Sequence, residues 1–514
     1  MALAAGSGFV HHPSVPNPTP IVLATINAKY IHAAFGLRYL RANLGELRDQ
    51  SVIVEFTNQL RVRDMVEQLL AYKPRIIGLG VYIWNAQLSE SLVALVKQVA
   101  PEVTVVLGGP EVSYETDLQR ITSLADVVVI GEGEDAFRTL CTTLLDGKPV
   151  PSKLIQGGLP DLATLQMPYD EYSDEDVANR IKYVEASRGC PFRCEFCLSS
   201  LDQTVRPFPL DRFLAAMQRL LDRGTRHFKF VDRTFNLKPA VSGEILDFFL
   251  ARLTPDMLLH FEMIPDRLPA ALRERITKFP PGSIQFEVGI QTFDPDAAAR
   301  ISRRQNMTRL EDNFRFLREE TQVHVHADLI IGLPGETMES FALGFDRLHG
   351  MGPQEIQVGI LKRLRGTPIA RHTDEFGMRY NPEPPYEILC NTVIDFPTMQ
   401  RLQRFAHVWD RLSNRGNLKA TAPLLWSAPN ASPFATALAF ADWLHLEAGK
   451  THAIALNRLA RMLARYLIDV VGLPRDSVET ALGDDYTRTG RNLPRNATSA
   501  GSQHRKPNRQ QRHL

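Results

Sequence analysis

The sequence predicts an α/β chain in three parts: an N-terminal doubly wound parallel sheet, a central partial (β/α)6 barrel and a C-terminal helical domain. Three observations predict it. From residue 21 onward, short β-branched runs alternate with amphipathic stretches, the pattern of strands buried between helices. A segment rich in proline and glycine, 149–168, interrupts the alternation, and a second series of six candidate strands begins at Tyr183. Beyond about residue 385 the strand pattern stops and helix-period apolar positions replace it.

Residues 1–19 contain Pro, Ser and Gly without periodic apolar positions and read as a disordered lead. Within 20–148, the runs 21–25, 51–56, 76–81, 103–107 and 127–130 are rich in Val, Ile and Leu and read as buried parallel strands. The stretches 60–70 and 88–99 between them read as amphipathic helices. Doubly wound sheets bind ligands at the carboxyl ends of their strands, where glycine lets a ligand approach the backbone. Gly78 and Gly80, Gly108 and Gly109, and Gly131 and Gly133 stand at three successive strand ends. One such glycine is an ordinary tight turn; recurrence at three strand ends marks a binding edge.

Residues 149–175 read as a linker and 176–385 as the barrel, with candidate strands at 183–186, 227–231, 260–263, 284–290, 324–331 and 355–361. The first of these strands runs into Cys190, Cys194 and Cys197, spaced C-x3-C-x2-C, in a chain with only five cysteines. Thiolates are soft ligands that suit iron–sulfur clusters and zinc. Three ligands leave one iron of a four-iron cluster open to a substrate, whereas a closed zinc site takes four, usually as two separated pairs. Cys141 and Cys390 are distant and solitary, so no second pair exists. Buried structural cysteines are the third reading, against which Pro191, Arg193 and Glu195 give the segment a polar, loop-like character.

Polar residues recur at the later strand ends. Asp232, Glu262, Glu287 with Gln291, and Asp328 with Gly332 follow or close the second to fifth barrel strands. Their competing readings are structural: an Asx turn at Asp232, and buried carboxylates satisfied by neighbouring donors at Glu262 and Glu287. In 386–485, Leu456, Leu459, Leu463, Leu467 and Val470 share one helix face, and Arg458, Arg461 and Arg465 another, which reads as a solvent face. Residues 487–514 hold seven Lys or Arg and no acid, so 486–514 reads as a disordered basic tail, solubilising rather than RNA-binding.

At 514 residues the chain exceeds one core. Its 44% hydrophobic and 23% charged content describe an ordinary globular protein, and a net charge of +1 gives no argument for a nucleic-acid or anionic-surface partner. An odd, clustered set of cysteines argues against a secreted disulfide framework. The first Lys or Arg is Lys29, unlike the charged start of a secretory signal, and no apolar run approaches the ~20 residues of a membrane span. Cytoplasm is the expected compartment.

The cysteine run Glu185-Ala-Ser-Arg-Gly-Cys-Pro-Phe-Arg-Cys-Glu-Phe-Cys197 resembles the cluster loop of the radical S-adenosylmethionine (SAM) enzymes. The resemblance implies a 4Fe-4S cluster held by Cys190, Cys194 and Cys197, whose open iron chelates SAM. An external one-electron reductant drives reductive cleavage to methionine and a 5′-deoxyadenosyl radical. It further implies that Asp232 meets the SAM amino group, and that Glu262, Glu287 and Gln291 meet its ribose or methionine groups. Asp328-Leu-Ile-Ile-Gly-Leu-Pro-Gly-Glu336 resembles the fifth-strand signature lining the adenine, with Gly332 permitting backbone approach and Glu336 capping the next helix. Arg365, in 361–368, falls where the family's closing strand and turn lie, as a substrate-facing group or a solvated rim.

The N-terminal glycines resemble a cobalamin-binding domain, whose pattern is Asp-x-His-x-x-Gly, then Ser-x-Leu, then Gly-Gly. With Gly36 as the last residue of the first element, Gly78-Leu-Gly80 and Gly108-Gly109 fill the second and third, but Ile31, His32 and Ala33 stand at the Asp-x-His positions. His32 is thus one residue from the cobalt-ligand position. Together the resemblances imply a cobalamin-dependent radical SAM enzyme transferring a methyl group to an unactivated carbon of a small-molecule substrate. Two alternatives stay open: cyclisation or rearrangement with a corrin-free N-terminal domain, and a redox-sensing iron–sulfur protein.

Overall fold

The structure, a computed structural model, describes residues 16–490 and divides into two compact units meeting at Arg180 and Ile181. The expected lead is therefore described only from residue 16 and the expected basic tail only to residue 490; the remainder of both lies outside the described residues. Among the described residues no helix is long and apolar enough to cross a membrane.

The first unit is a six-stranded parallel sheet of β1 (Ile21–Asn27), β2 (Ser51–Thr57), β3 (Ile76–Gly80), β4 (Thr104–Gly108), β5 (Val127–Ile130) and β6 (Leu154–Gln156), in the order β2-β1-β3-β4-β5-β6. Every residue of β1 is buried, because both faces of the sheet are covered. Successive strand residues point to opposite faces: Val22, Ala24 and Ile26 pack with Leu92, Val93 and Val96 of helix Ala86–Val99, while Ile21 and Leu23 pack with Leu37, Phe137 and Leu140 on the other side. Each fully buried Val, Leu, Ile or Phe contributes about 1.5–3 kcal/mol.

The stretch expected to be a linker is part of this unit. Its β6 joins the sheet with Val128 opposite Leu154, and helix Asp174–Asn179, opened by a Ser173/Asp176 capping box, folds back onto the sheet. Charge holds it there. Arg38, nearly sealed from solvent, donates to Glu55 (2.8 Å) and Asp176 (2.7 Å); Arg180 donates to Glu55 (2.7 Å). Arg41 and Arg48 pair with Glu171, and Asn43 bonds Gln166 through both of its amide atoms. Docking by ion pairs leaves no apolar periodicity to read, and an edge strand of three residues is too short to register.

The second unit carries six parallel strands in the order β14-β13-β12-β11-β10-β7: β7 (Lys182–Val184), β10 (His227–Phe230), β11 (Leu258–Met263), β12 (Ile284–Gln291), β13 (His324–Ile331) and β14 (Glu355–Ile360). The intervening β8 (Ser187–Arg188) and β9 (Arg206–Pro207) form a short antiparallel pair. First and last strands remain unpaired with one another, which makes the barrel partial. Phe228, Phe230, Phe249, Phe261 and Phe286 fill its core; ring centroids of Phe230 and Phe261 are 4.4 Å apart. A second antiparallel pair, β15 (Arg379–Tyr380) and β16 (Ile388–Cys390), extends strand structure slightly beyond the expected limit near residue 385.

Four α-helices follow: Phe396–Trp409, Pro433–Ala448, Leu456–Asp469 and Arg475–Arg488. Leu459, Leu463 and Leu467 are buried as expected, but Val470 falls past the helix end and is exposed. Arg458, Arg461 and Arg465 face solvent. The side chain of Asn414 accepts from the Ile356 amide (3.0 Å) and donates to the Ile356 carbonyl (2.8 Å), occupying the outer edge of β14.

Candidate active site

The cysteine loop leaves β7 and is held by its own turns. Gly189 has φ +90°, and a Cβ there would lie 2.2 Å from the Thr204 carbonyl oxygen, so only glycine passes under the β8–β9 pair. The Cys190 amide bonds the Asp202 carbonyl (3.0 Å), and Ser200 Oγ donates to the carbonyls of Cys194 (2.9 Å) and Cys197 (2.7 Å). Cys190, Cys194 and Cys197 then line one cavity of about 170 Å³ at the carboxyl ends of the barrel strands. Burial, with the charges of Cys197 and Cys194 nearby, pushes the Cys190 thiol up.

Whether these thiols suit an iron–sulfur cluster rests on their arrangement and donors. Among the described residues no three His, Cys, Asp or Glu side chains are drawn together as a single ion needs. Zinc takes every thiolate at about 2.3 Å from one point, while a four-iron cluster gives each thiolate its own iron. Three sulfurs on the wall of one cavity, with Arg303 Nη1 donating to Cys194 Sγ (3.2 Å), fit the cluster. Cys141 has the third fate considered: alone in the first unit's core, its thiol is pushed up to about 12 by burial.

Neighbouring strands present carboxylates to the same cavity. Glu262 of β11 pairs in register with Glu287 of β12, and Asp328 of β13 pairs with Gly289. All three line the cavity. Glu262 accepts from Arg233 (2.9 Å), though burial outweighs that charge and raises its affinity for a proton. For Glu287 burial is outweighed by the hydrogen bond to His260 (2.8 Å) and by Lys229 (3.5 Å), which hold it below the usual range. Asp328 is pushed well up by burial and then by Glu287 and Glu262; its Oδ1, 3.5 Å from His326 Nε2, is buried without a hydrogen-bond partner. A buried orphan acceptor beside two other carboxylates calls for donors from a ligand.

Gln291 also lines the cavity, at φ +76° where β12 bulges. Its Nε2 would lie 2.5 Å from a Cβ on Gly289, so that glycine makes its room. The Gly289 carbonyl in turn accepts from Arg303 and from Gln305 (3.1 Å).

Three expected contacts are corrected. Asp232 is off the cavity wall: its carboxylate accepts from the Ala186 amide (2.9 Å) and Ser187 Oγ (2.7 Å), anchoring the start of the cysteine loop. Burial pushes it up to about 7. Gly332 is likewise absent from the wall, because the place of its missing Cβ is taken by Ile388, 2.6 Å away. Glu336 does not cap the following helix. Thr337 does, accepting from the Ser340 amide, while Glu336 accepts from Thr292 Oγ1 (2.5 Å) in a buried site that pushes it up to about 8. Arg365 donates to the Tyr386 hydroxyl (2.9 Å) and stacks on its ring.

In the first unit, Gly36, Gly78, Gly80, Gly108, Gly109, Gly131 and Gly133 line one cavity of about 200 Å³. Its other walls are mostly Leu37, Leu40, Val106, Val129 and Phe137, with the Tyr82 hydroxyl 3.3 Å from the position of a Cβ on Gly36. A Cβ on Gly109, at φ +105°, would strike the Val81 carbonyl oxygen at 2.5 Å, whereas one on Gly131 would meet nothing within 4 Å. Bare backbone and mostly apolar walls, with Glu132 and Glu134 also on the lining, suit a flat group with an extended apolar face and polar edges, as a corrinoid has. His32 does not line this cavity: its carbonyl is held by Asn27 (2.9 Å) and its amide by Lys29 (3.2 Å), in a turn before helix Phe35–Ala42 begins.

Sequence reasoning passed over Arg303, Arg233, Lys229 and His260, which balance the carboxylates. Arg303 lies in an Arg-Arg-Gln run indistinguishable from a solvated turn, and Lys229 and His260 sit inside strands where alternation alone does not assign a face.

Fold and cavity together set three thiols beside a carboxylate-lined space at the carboxyl ends of the barrel strands, an arrangement that suits a cluster open to a small molecule. Comparison with known proteins agrees. Residues 184–345 match the Radical SAM superfamily, residues 21–141 the B12 binding domain, and residues 374–513 a family of proteins of unknown function. Residues 184–345 thus form a radical SAM domain and residues 21–141 a B12-binding domain ahead of it, domains whose cofactors are a 4Fe-4S cluster with SAM and cobalamin.

Among relatives, the cobalamin-dependent radical SAM methyltransferase TokK of Streptomyces tokunonensis is 26% identical over 63% of this chain and 52% of its own length. An uncharacterized methyltransferase of Pyrococcus horikoshii is 28% identical over 39% of this chain and 49% of its own length. The chain spans about half the length of the curated relatives it matches. Among solved structures, the radical SAM enzyme OxsB, with aqua-cobalamin and SAM bound, aligns at TM-score 0.59 and 13% identity over 91% of this chain and 84% of its own. The methyltransferase TsrM of Kitasatospora setae, with cobalamin and a 4Fe-4S cluster, aligns at 0.57 and 16% over 73% and 82%.

Proposed function

We propose that this enzyme is a cobalamin-dependent radical SAM methyltransferase acting on an unactivated carbon of a small molecule, in the cytoplasm and with an external one-electron reductant. One observation carries the reading: three cysteines and three carboxylates line one cavity, in a chain that also holds a glycine-walled, largely apolar cavity suited to a corrinoid. When bound, the cluster supplies the electron that cleaves SAM, and cobalamin supplies the methyl group. The protein's part is binding and charge. Cys190, Cys194 and Cys197 hold the cluster. Glu262, Glu287, Asp328 and Gln291 offer acceptors to the amino and hydroxyl groups of SAM, and Arg303 sets a fixed positive charge beside Cys194.

Lys229, His260 and Arg233 keep this carboxylate set from repelling itself apart, which burial would otherwise amplify. Glu287, held below the usual carboxylate range, is the firm anionic anchor, while burial beside Glu287 and Glu262 raises the affinity of Asp328 for a proton. TokK and TsrM are methyltransferases in name, and that shared activity supports methyl transfer over cyclisation or rearrangement.

The test is anaerobic reconstitution, iron and sulfide analysis, and reduction in the presence of SAM labelled in its methyl group. Release of 5′-deoxyadenosine with label in a product supports the reading. A reconstituted enzyme that cleaves SAM yet transfers no label to any component of a cell extract overturns methyl transfer.

A further inference from the structure

We propose that Glu195, between the second and third cysteines, is a positioning residue that clamps the cluster loop across the open side of the barrel. It rests on the reading of the three cysteines as cluster ligands. Its side chain is 4% exposed, although it lies in a loop rather than a strand. Both carboxylate oxygens are committed: Oε1 accepts from Ser302 Oγ (2.7 Å) and from Arg371, and Oε2 bonds His372 Nε2 (2.9 Å). Its backbone is committed as well, the amide donating to the Ile301 carbonyl (3.1 Å) and the carbonyl accepting from the Ile369 amide (3.0 Å).

Those partners belong to two remote segments. Ile301 and Ser302 follow directly on the helix Pro295–Arg300 after β12, and Ile369, Arg371 and His372 belong to the 3-10 turn Pro368–His372 after β14. The loop itself leaves β7. Since β7 and β14 are the edge strands of the partial barrel, Glu195 spans the gap that hydrogen bonding leaves open. Sealing a carboxylate there is expensive unless every acceptor is used, so the site is built for Glu195 and is not a by-product of packing. Because Cys194 precedes it directly and Cys197 is two residues on, any slack at Glu195 moves two of the three sulfurs.

The test uses the full-length protein, reconstituted anaerobically, with the iron-release rate to a chelator and the electron paramagnetic resonance spectrum of the reduced cluster, with and without SAM, as readouts. Glu195→Ala is expected to release iron about tenfold faster or more, as loss of hydrogen bonds to a buried charge implies, and to broaden the SAM-induced spectral change. Glu195→Gln, which keeps an acceptor for Ser302 and a partner for His372, is expected to restore most of both. Ser302→Ala and His372→Gln each remove one bond and are expected to fall between, so they carry the test if Glu195→Ala does not fold. Wild-type iron release and spectra in the Ala variant, or in both single-bond variants, overturn the proposal. A wild-type protein that takes up no iron instead overturns the cluster reading.

Discussion

Asp232→Asn gives the sharpest test of how the cysteine loop is anchored. The carboxyl of Asp232 is buried, 3% exposed, and is pushed from 3.8 to about 7. Between those two values the unfolded chain has lost this proton and the folded chain keeps it. The stability derivative is then negative, and stability falls as pH rises from 3.8 to about 7. A shift of roughly three units at ~1.4 kcal/mol each corresponds to about 4 kcal/mol withheld at pH above 7. Asparagine is neutral throughout and keeps an acceptor for the Ala186 amide. Urea unfolding of variant and wild type in parallel, stepped from about pH 4 to about pH 8, isolates this group because the others cancel. The variant is expected to gain on the wild type steadily across the range and level off above about 7, by a few kcal/mol. A difference that does not change with pH would refute the claim that Asp232 is held protonated between Ala186 and Ser187.

Three further outcomes follow from the geometry. Cys197→Ala should lower iron content after reconstitution and abolish 5′-deoxyadenosine release, measured by metal analysis and chromatography, while far-ultraviolet circular dichroism stays unchanged. Gly109→Ala must place a Cβ 2.5 Å from the Val81 carbonyl oxygen at φ +105°; corrinoid affinity, followed by retention through gel filtration, should drop about fivefold or more, since such backbone strain costs roughly 1–3 kcal/mol. Arg38→Ala removes one of the two cations that buried Glu55 and Asp176 share and leaves only Arg180 between them, so thermal unfolding should show a loss of about 3 kcal/mol, rescued in part by Glu55→Gln.

Much of the architecture was legible because it is written in periodicity. Val22, Ala24 and Ile26 alternate with Ile21 and Leu23 and all are apolar, as a doubly covered parallel strand requires. The thiol loop was legible because three cysteines at this spacing, with no fourth nearby, suit a cluster and little else. What escaped was carried by charge and by three-dimensional closure. Segment 166–180 docks through Arg38, Arg41, Arg48 and Asn43, polar side chains that add nothing to an apolar periodicity. Asp232 stands at the expected strand end, yet its carboxylate is spent on Ala186 and Ser187 because the loop start lies closer than the cavity. Gly332 marks a left-handed turn, and a turn glycine looks the same whether a ligand or Ile388 fills the space beside it. His32 shows the limit of motif matching: a register displaced by one residue leaves its backbone in a turn and its side chain off the glycine-lined wall.

The amide of Asn414 has a consequence for solubility. By bonding both backbone groups of Ile356 it imitates one residue of a seventh strand, so the outer margin of β14 is not a free template for another chain. The helical region after residue 396 therefore acts as an edge guard. A chain ending before Phe396 would present that margin bare, and concentration-dependent light scattering should report its self-association.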